Sequence, residues 1–297
     1  MVEPKYHKNW LVPGPAPLGD VAHEQEQIQS VQAQLEQQLA ASVTCDALSG
    51  RFKIFQLKEG HRFSTDDLLV AWYAAQAMGH VTKILDLGSG IGTVAQILAW
   101  KFPAAQMVSV EAQEVSHQLA RASIALNGLS ERIDARLGDL RDSTHLKSDE
   151  LFDLVSSSPP YFPETAGIVA EHPQKAACRF ELRGDISDYA RTAFAHLAPG
   201  GGFAWVFPTE GRARVFAAIE AVGGFVHRAR PVVLKEGEEP LLFVGIAYKK
   251  SDYPERVWGG LGPDQAFCEE PALVIRNRDG SVSREYSVVK ASIGFPP

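Results

Sequence analysis

The chain has 297 residues, of which 45% are hydrophobic and 22% charged, and it carries a formal net charge of −7. That composition supplies a core and excludes disordered and fibrous classes, while the acidic balance is the wrong sign for a protein that grips long duplexes by counterion release. No apolar run approaches the roughly 20 residues of a membrane span and no basic-then-apolar leader opens the chain, so a cytoplasmic protein with no membrane partner is expected.

Residues 1–19 carry Pro4, Pro13, Pro15 and Pro17 and read as an extended arm. Asp20 is a good N-cap for a helix over 20–42, whose narrow apolar stripe is Val21, Ile28, Val31, Leu35 and Leu39. Its seven glutamines between positions 25 and 38 form a solvated face. The stripe must cover something, either the chain's own domain or a second molecule, as in a homodimer through this helix. The main domain is expected to begin near Arg51, which divides the chain into a 1–50 extension and a 51–297 domain.

A strand over 51–57 leads to a mostly apolar helix over 65–78, capped by Ser64 or Thr65. Strands over 83–87, 107–111, 133–137, 151–156 and 202–207 then alternate with helices over 93–101, 114–127, 186–197 and 210–222. Such alternation implies an α/β fold with a doubly wound, mostly parallel sheet. Strands over 225–234 and 241–248, joined by the charged turn 235–240, add an antiparallel hairpin at its edge. Near the C-terminus, strands over 272–276 and 282–288 flank the hairpin turn Asn277-Arg278-Asp279-Gly280. Residues 212–256 hold eight basic residues against six acidic ones, a weak enrichment that reads first as solvated surface and second as a contact for nucleic acid. Cys45, Cys178 and Cys268 lie too far apart for a disulfide framework or a metal site, and no histidine has a partner at a telling spacing, so no metal is expected.

The strand over 83–87 ends in Asp86-Leu87-Gly88-Ser89-Gly90-Ile91-Gly92, just before a helix. A glycine-rich turn there lets backbone approach a ligand at the carboxyl edge of a parallel sheet. Glu111 ends the next strand, 19 residues beyond Gly92, where it can accept from both hydroxyls of a ribose. Asp139, followed by Leu140, ends the third, where an adenine amino group can donate to it. Asp86 would repel a pyrophosphate but tolerates an amino group and a positive sulfur, which favours a sulfonium cofactor over a dinucleotide.

After the fourth strand comes Ser158-Pro159-Pro160-Tyr161-Phe162. Two prolines fix the backbone and offer no N–H, which leaves the Pro159 carbonyl free to point into a site. Tyr161 or Phe162 supplies a flat surface for a planar substrate. A conjugated amino nitrogen is a poor nucleophile; Ser158 Oγ and the Pro159 carbonyl, by accepting its two N–H groups, would favour the pyramidal, reactive form.

At these residues the chain resembles the amino-methyltransferases marked by Asn/Asp/Ser-Pro-Pro-Tyr, and in particular the bacterial tRNA(Val) adenine-N6-methyltransferase family. The likeness covers roughly residues 50–290: Lys58 to Asp66 resembles that family's opening Lys-x-Gly-x-Arg-Phe-x-x-Asp segment, and 86–92 its donor loop. The resemblance implies S-adenosylmethionine as cofactor, with Arg62 and Thr65 bordering it and Asp86, Gly88, Gly90, Glu111, Asp139 and Leu140 binding it. Ser158, Pro159, Pro160 and Tyr161 would handle the amine, with Tyr161 and Phe162 facing the substrate. Position 158 is Ser where the family usually has Asn, and Cys178-Arg179-Phe180-Glu181 replaces its Ala-Arg-His-Glu with Phe180 in the histidine's place. Arg179 and Glu181 are expected to form a structural ion pair. Residues 1–50 have no counterpart there.

The expected activity is methylation of a planar amino group, foremost adenine N6 of a structured tRNA or rRNA. A small-molecule or protein amide or amine is the alternative acceptor. A third reading is a methyltransferase fold that binds RNA or protein without catalysis.

Overall fold

The structure is a computed structural model describing residues 6–7, 10–11, 21–163, 165, 172–252 and 267–296. The Asp20 cap, Arg256 and most of the proline-rich arm lie outside the described residues. Within the arm, β1 (Tyr6–His7) and β2 (Trp10–Leu11) pair antiparallel. Helix α1 (Val21–Leu39) follows, and it buries Ile28 and Leu35 in the main core. Two bonds fix its pose: Gln32 Nε2 donates to the Val43 carbonyl at 2.8 Å, and the Val43 N–H donates to Glu36 at 2.9 Å.

Strand β3 (Val43–Ala47) pairs antiparallel with β4 (Lys53–Leu57), so a two-stranded ladder spans position 50. On its other side β4 meets helix α4 (Glu114–Leu126), which offers side chains in place of a strand. The Phe55 N–H donates to Ser123 Oγ and the Lys53 N–H to Asn127 Oδ1, each at 2.8 Å. Asn127 Nδ2 donates back to the Lys53 carbonyl at 2.7 Å.

The helix after this ladder, α2 (Thr65–Ala77), is capped by Ser64, whose hydroxyl accepts from the Asp66 N–H while the Asp67 carboxylate accepts from the Ser64 N–H. Then come β5 (Lys83–Leu87), α3 (Thr93–Lys101), β6 (Gln106–Glu111), α4, β7 (Ile133–Leu137) and β8 (Phe152–Ser157). The second half holds α5 (Pro173–Arg179), α6 (Ile186–His196), β9 (Leu197–Pro208), α7 (Arg212–Ala221), β10 (Gly224–Lys235) and β11 (Leu242–Lys249). The short strands β12 (Cys268–Glu269) and β13 (Leu273–Arg276) and helix α8 (Arg284–Ser292) complete it.

The sheet order is β12-β10-β11-β9-β8-β5-β6-β7, with β13 also on β10. Strands β7, β6, β5, β8 and β9 run parallel, and β11 is antiparallel to both β9 and β10. The doubly wound sheet with its antiparallel hairpin is thus the observed architecture, and β12 and β13 run parallel along the outer side of β10. Successive residues of a strand face opposite sides. Ile84, Leu154 and Val206 therefore join the core under α2 and α3, while Leu85, Val155 and Phe207 join the one under α6 and α7.

Two expectations are corrected. The span 282–288 is not a strand: after the Asn277–Gly280 turn only Val282 bridges back, to Arg276, and Ser283 then caps α8 by accepting from the Tyr286 N–H at 3.0 Å. Helix α5 had no counterpart in the sequence reading, although Pro173 stands at its first turn, where a missing N–H costs nothing.

Candidate functional site

The carboxyl ends of β5, β6 and β8 open into one cavity of about 760 Å³. Gly88, Gly90 and Gly92 all take left-handed φ between 56° and 82°, which wraps the loop after β5 around the cavity floor. At Gly88 there is no room for a side chain either, because a Cβ would run into the Tyr189 hydroxyl.

Asp86 and Glu111 are both buried at this end. Asp86 Oδ1 accepts from Ser156 Oγ on the neighbouring strand at 2.8 Å, while Oδ2 is buried without a partner. Burial pushes the Asp86 carboxyl up to about 7. Glu111 accepts from the Gly90 N–H at 2.8 Å and from the Gln113 N–H at 2.7 Å, and burial raises its pKa despite those bonds. Asp67 also borders the cavity, with its carboxyl pushed up to about 7 by burial.

At the other end lies the loop after β8. Pro159 and Pro160 are buried and Ser158 is half-buried. Tyr161 is held at three points: its hydroxyl donates to Asp66 at 2.6 Å, its N–H donates to the Arg179 carbonyl at 3.1 Å, and its ring meets Phe207 edge-on with centroids 5.5 Å apart. Burial, then the Asp66 charge, raises the Tyr161 pKa well above its ordinary value, and a hydrogen bond with the Ser158 side chain opposes them. Phe162 also donates its N–H to the Arg179 carbonyl, at 3.0 Å, and keeps 42% of its surface exposed.

Of the residues singled out from the sequence, the cavity brings together Arg62, Thr65, Asp86, Gly88, Gly90, Glu111, Leu140, Ser158, Pro159, Pro160, Tyr161 and Phe162. Asp139 does not border it: its carboxylate is held by Arg141, two residues on, at 2.6 and 2.9 Å, which also keeps its pKa below the usual carboxylate range. Arg62 borders the cavity but directs its guanidinium to Asp46 and Thr44 on β3, at 2.8 and 2.9 Å. The expected Arg179–Glu181 pair is absent: Glu181 bonds instead to Arg214 of α7 at 2.6 Å. The turn after α5, where the Glu181 N–H donates to the Phe162 carbonyl, carries it there.

Several cavity residues escaped the sequence reading, among them Asp67, Gln113, Lys175, Arg183 and Tyr189. Only Asp67 left a local trace, three residues after the Ser64 cap, where a capping carboxylate belongs. Cys178 also borders the cavity and accepts from Gln113 Nε2 at 3.3 Å; burial pushes its thiol up to about 12, which favours the protonated form.

A twisted, mostly parallel sheet with a glycine loop and two strand-end carboxylates around one cavity defines the class: the chain has the Rossmann-like fold of the S-adenosylmethionine-dependent methyltransferases. Residues 64–187 match the family model described as the Methyltransferase small domain. A predicted O-methyltransferase from Agrobacterium tumefaciens shares the fold with a TM-score of 0.58 at 18% identity, over 78% of this chain and 98% of that one.

Within the class, the chain is similar to proteins named tRNA1(Val) (adenine(37)-N6)-methyltransferase. The one from Porphyromonas gingivalis is 32% identical over 54% of this chain, a match that spans 64% of the relative's own length. The one from Citrobacter koseri is 28% identical over 77% of this chain and 86% of the relative.

The residues present fit the cofactor that this class implies. The unpartnered Asp86 Oδ2 is an acceptor waiting for a cationic donor, and the glycine loop leaves backbone-close space beside it. Glu111 accepts from backbone N–H groups on both of its oxygens, and a carboxylate has roughly four lone-pair sites, which leaves capacity for a hydroxyl donor.

Proposed function

We propose that this chain transfers a methyl group from S-adenosylmethionine to a planar amino nitrogen, namely adenine N6 of a structured RNA such as a tRNA. One observation carries the reading: the Asp86–Glu111 end and the Ser158–Tyr161 loop border the same cavity. The names of the similar proteins support an RNA adenine as acceptor.

The bound cofactor supplies an electrophilic methyl on a positive sulfur. Asp86 Oδ2 would accept from its ammonium group and Glu111 from its ribose hydroxyls. Asp139 would join them only by giving up Arg141. Ser158 Oγ and the Pro159 carbonyl accept the two N–H groups of the incoming amine and bend the nitrogen toward its reactive geometry. Tyr161, clamped between Asp66 and Phe207, holds a wall of the cavity in a fixed pose, so the acceptor meets a surface that needs no reordering. The half-buried Ser158 and the exposed Phe162 open this end to a base extruded from its stack. A homodimer through α1 is no part of the proposal, because Ile28 and Leu35 are buried within the chain itself.

The test is to supply labelled S-adenosylmethionine with total RNA, protein extract and metabolite extract in parallel. Label in the tRNA fraction, recovered as N6-methyladenosine, is the expected result. Label only in protein or metabolite would move the reading to the alternative acceptors.

A further inference from the structure

The basic residues of 212–252 are mostly engaged within the chain. Arg212 bonds to Glu269, Arg214 to Glu181, Arg228 to Glu270 and Arg230 to Glu285. Lys249 donates to the Leu197 carbonyl. The stretch enriched in positive charge is therefore a poor grip for a polyanion.

The cavity mouth differs. Lys175 and Arg179 stand four residues apart on α5, hence on one face of it, and both border the cavity. Neither forms an ion pair among the described residues, and the Arg179 side chain is exposed. Both charges act on His61, another cavity residue, against the opposing charge of Asp66. The α5 face is also held in place: Gln174 accepts from the His61 N–H at 2.9 Å and donates to Ser116 at 3.0 Å.

An exposed aromatic borders the same cavity as these cations. Phe162 donates its N–H to the Arg179 carbonyl and rests its ring against Phe180 with centroids 5.9 Å apart, which leaves its other surface open. Flat rings interleaved with unpaired cations are what a single-stranded segment needs, one to stack a base and the other to neutralise the phosphate beside it. Lys175 and Arg179 border the cavity without an ion pair, whereas Asp66, Asp67 and Glu111, which share it, are engaged by the Tyr161 hydroxyl and by backbone N–H groups, so an anionic partner fits there.

We infer that the cavity mouth is a second nucleotide subsite, in which Phe162 stacks on the base adjoining the target and Lys175 and Arg179 hold the phosphate that joins the two. The inference rests on the RNA reading above and extends it from the reacting base to its neighbour.

The experiment measures the affinity of the full chain for bulk tRNA, with the demethylated cofactor present, at several salt concentrations. The double variant Lys175→Gln/Arg179→Gln should raise Kd about ten-fold or more and flatten the plot of log Kd against log salt by about 0.7, the effect of one phosphate no longer neutralised on a single strand. Phe162→Ala should raise Kd about ten-fold with the slope kept. Arg179→Lys, which keeps the charge, should retain the slope. Arg191→Gln, which removes a cation bound to Asp188 outside the cavity lining, should behave as wild type. Retained cofactor binding by calorimetry confirms that each variant is folded. If wild type binds tRNA and the double variant shows the same Kd and slope, the subsite is wrong and the RNA reading stands. If wild type binds no tRNA, both fall together.

Discussion

The two ends of the cavity are held by different means. At the donor end, Asp86 leans on Ser156 of the adjoining strand and Glu111 on the backbone of Gly90 and Gln113. These groups are buried and tied to sheet register. At the acceptor end, Tyr161 depends on Asp66, which is 95 positions away in sequence, and on Phe207 and Arg179 from two further elements. The first end is a property of the sheet, whereas the second is an assembly that single substitutions can release. Changes at the donor end should act on cofactor binding alone, and changes at the acceptor end on the amine.

The sharpest division should come from Ser158→Ala, which removes the proposed acceptor of the amine and should leave cofactor affinity unchanged. Turnover should fall on the order of 10²–10³-fold in a single-turnover assay. Ser158→Asn, which restores the residue usual in the resembling family, should keep or raise activity on RNA. Full turnover in the alanine variant would break the division at its centre.

At the donor end, Glu111→Ala should weaken cofactor binding by about 1–3 kcal/mol, through the lost acceptor and the backbone N–H groups left unpaired. Calorimetry reads this directly. A variant with normal cofactor affinity but poor RNA turnover would put Glu111 at the wrong end.

A pH series sharpens the contrast further. Asp86 has its carboxyl pushed up to about 7 in the free protein, so below that pH it must lose a proton to meet a cationic ligand. Cofactor affinity should therefore rise about ten-fold per pH unit as pH approaches 7 and level off above it, with Asp86→Asn abolishing the rise. Stability should run the other way. Between the ordinary carboxylate pKa and about 7 the folded state binds more protons than the unfolded one, so the free protein should lose stability as pH rises through that window. Asp67 contributes in the same direction. Melting temperature against pH, with and without the cofactor, separates the two trends.

The smallest effect should come from Tyr161→Phe, which cuts the bond to Asp66 but keeps the ring. A rise of a few-fold in KM for RNA, with cofactor affinity unchanged, is expected from loss of the hydroxyl's bonds to Asp66 and to the Ser158 side chain while the ring stays in place. A change in cofactor affinity instead would mean that the two ends are mechanically coupled.

The donor end was largely legible in the sequence because its signals are local. Strand-end carboxylates and alternate glycines sit at fixed offsets from short apolar runs, and the sheet then brings them together. Asp139 lies off the cavity lining even so, since Arg141 two residues on takes its charge. At the acceptor end the loop itself could be read, but its supports could not: nothing local ties Asp66 to Tyr161 or Glu181 to Arg214. The same limit hid β3, whose residues are half-buried and alternate only weakly, and made a strand of 282–288, where Val282 and the apolar residues after it mimic alternation.

The ladder of β3 and β4 has a consequence for how the molecule behaves in company. A two-stranded ladder with a free side invites another chain to add a strand. Here the outward N–H groups of Lys53 and Phe55, and the Lys53 carbonyl, are already taken by Asn127 and Ser123 of a helix. Two short polar side chains thus do the work of a missing strand and keep the edge of β4 closed to neighbouring molecules at high concentration.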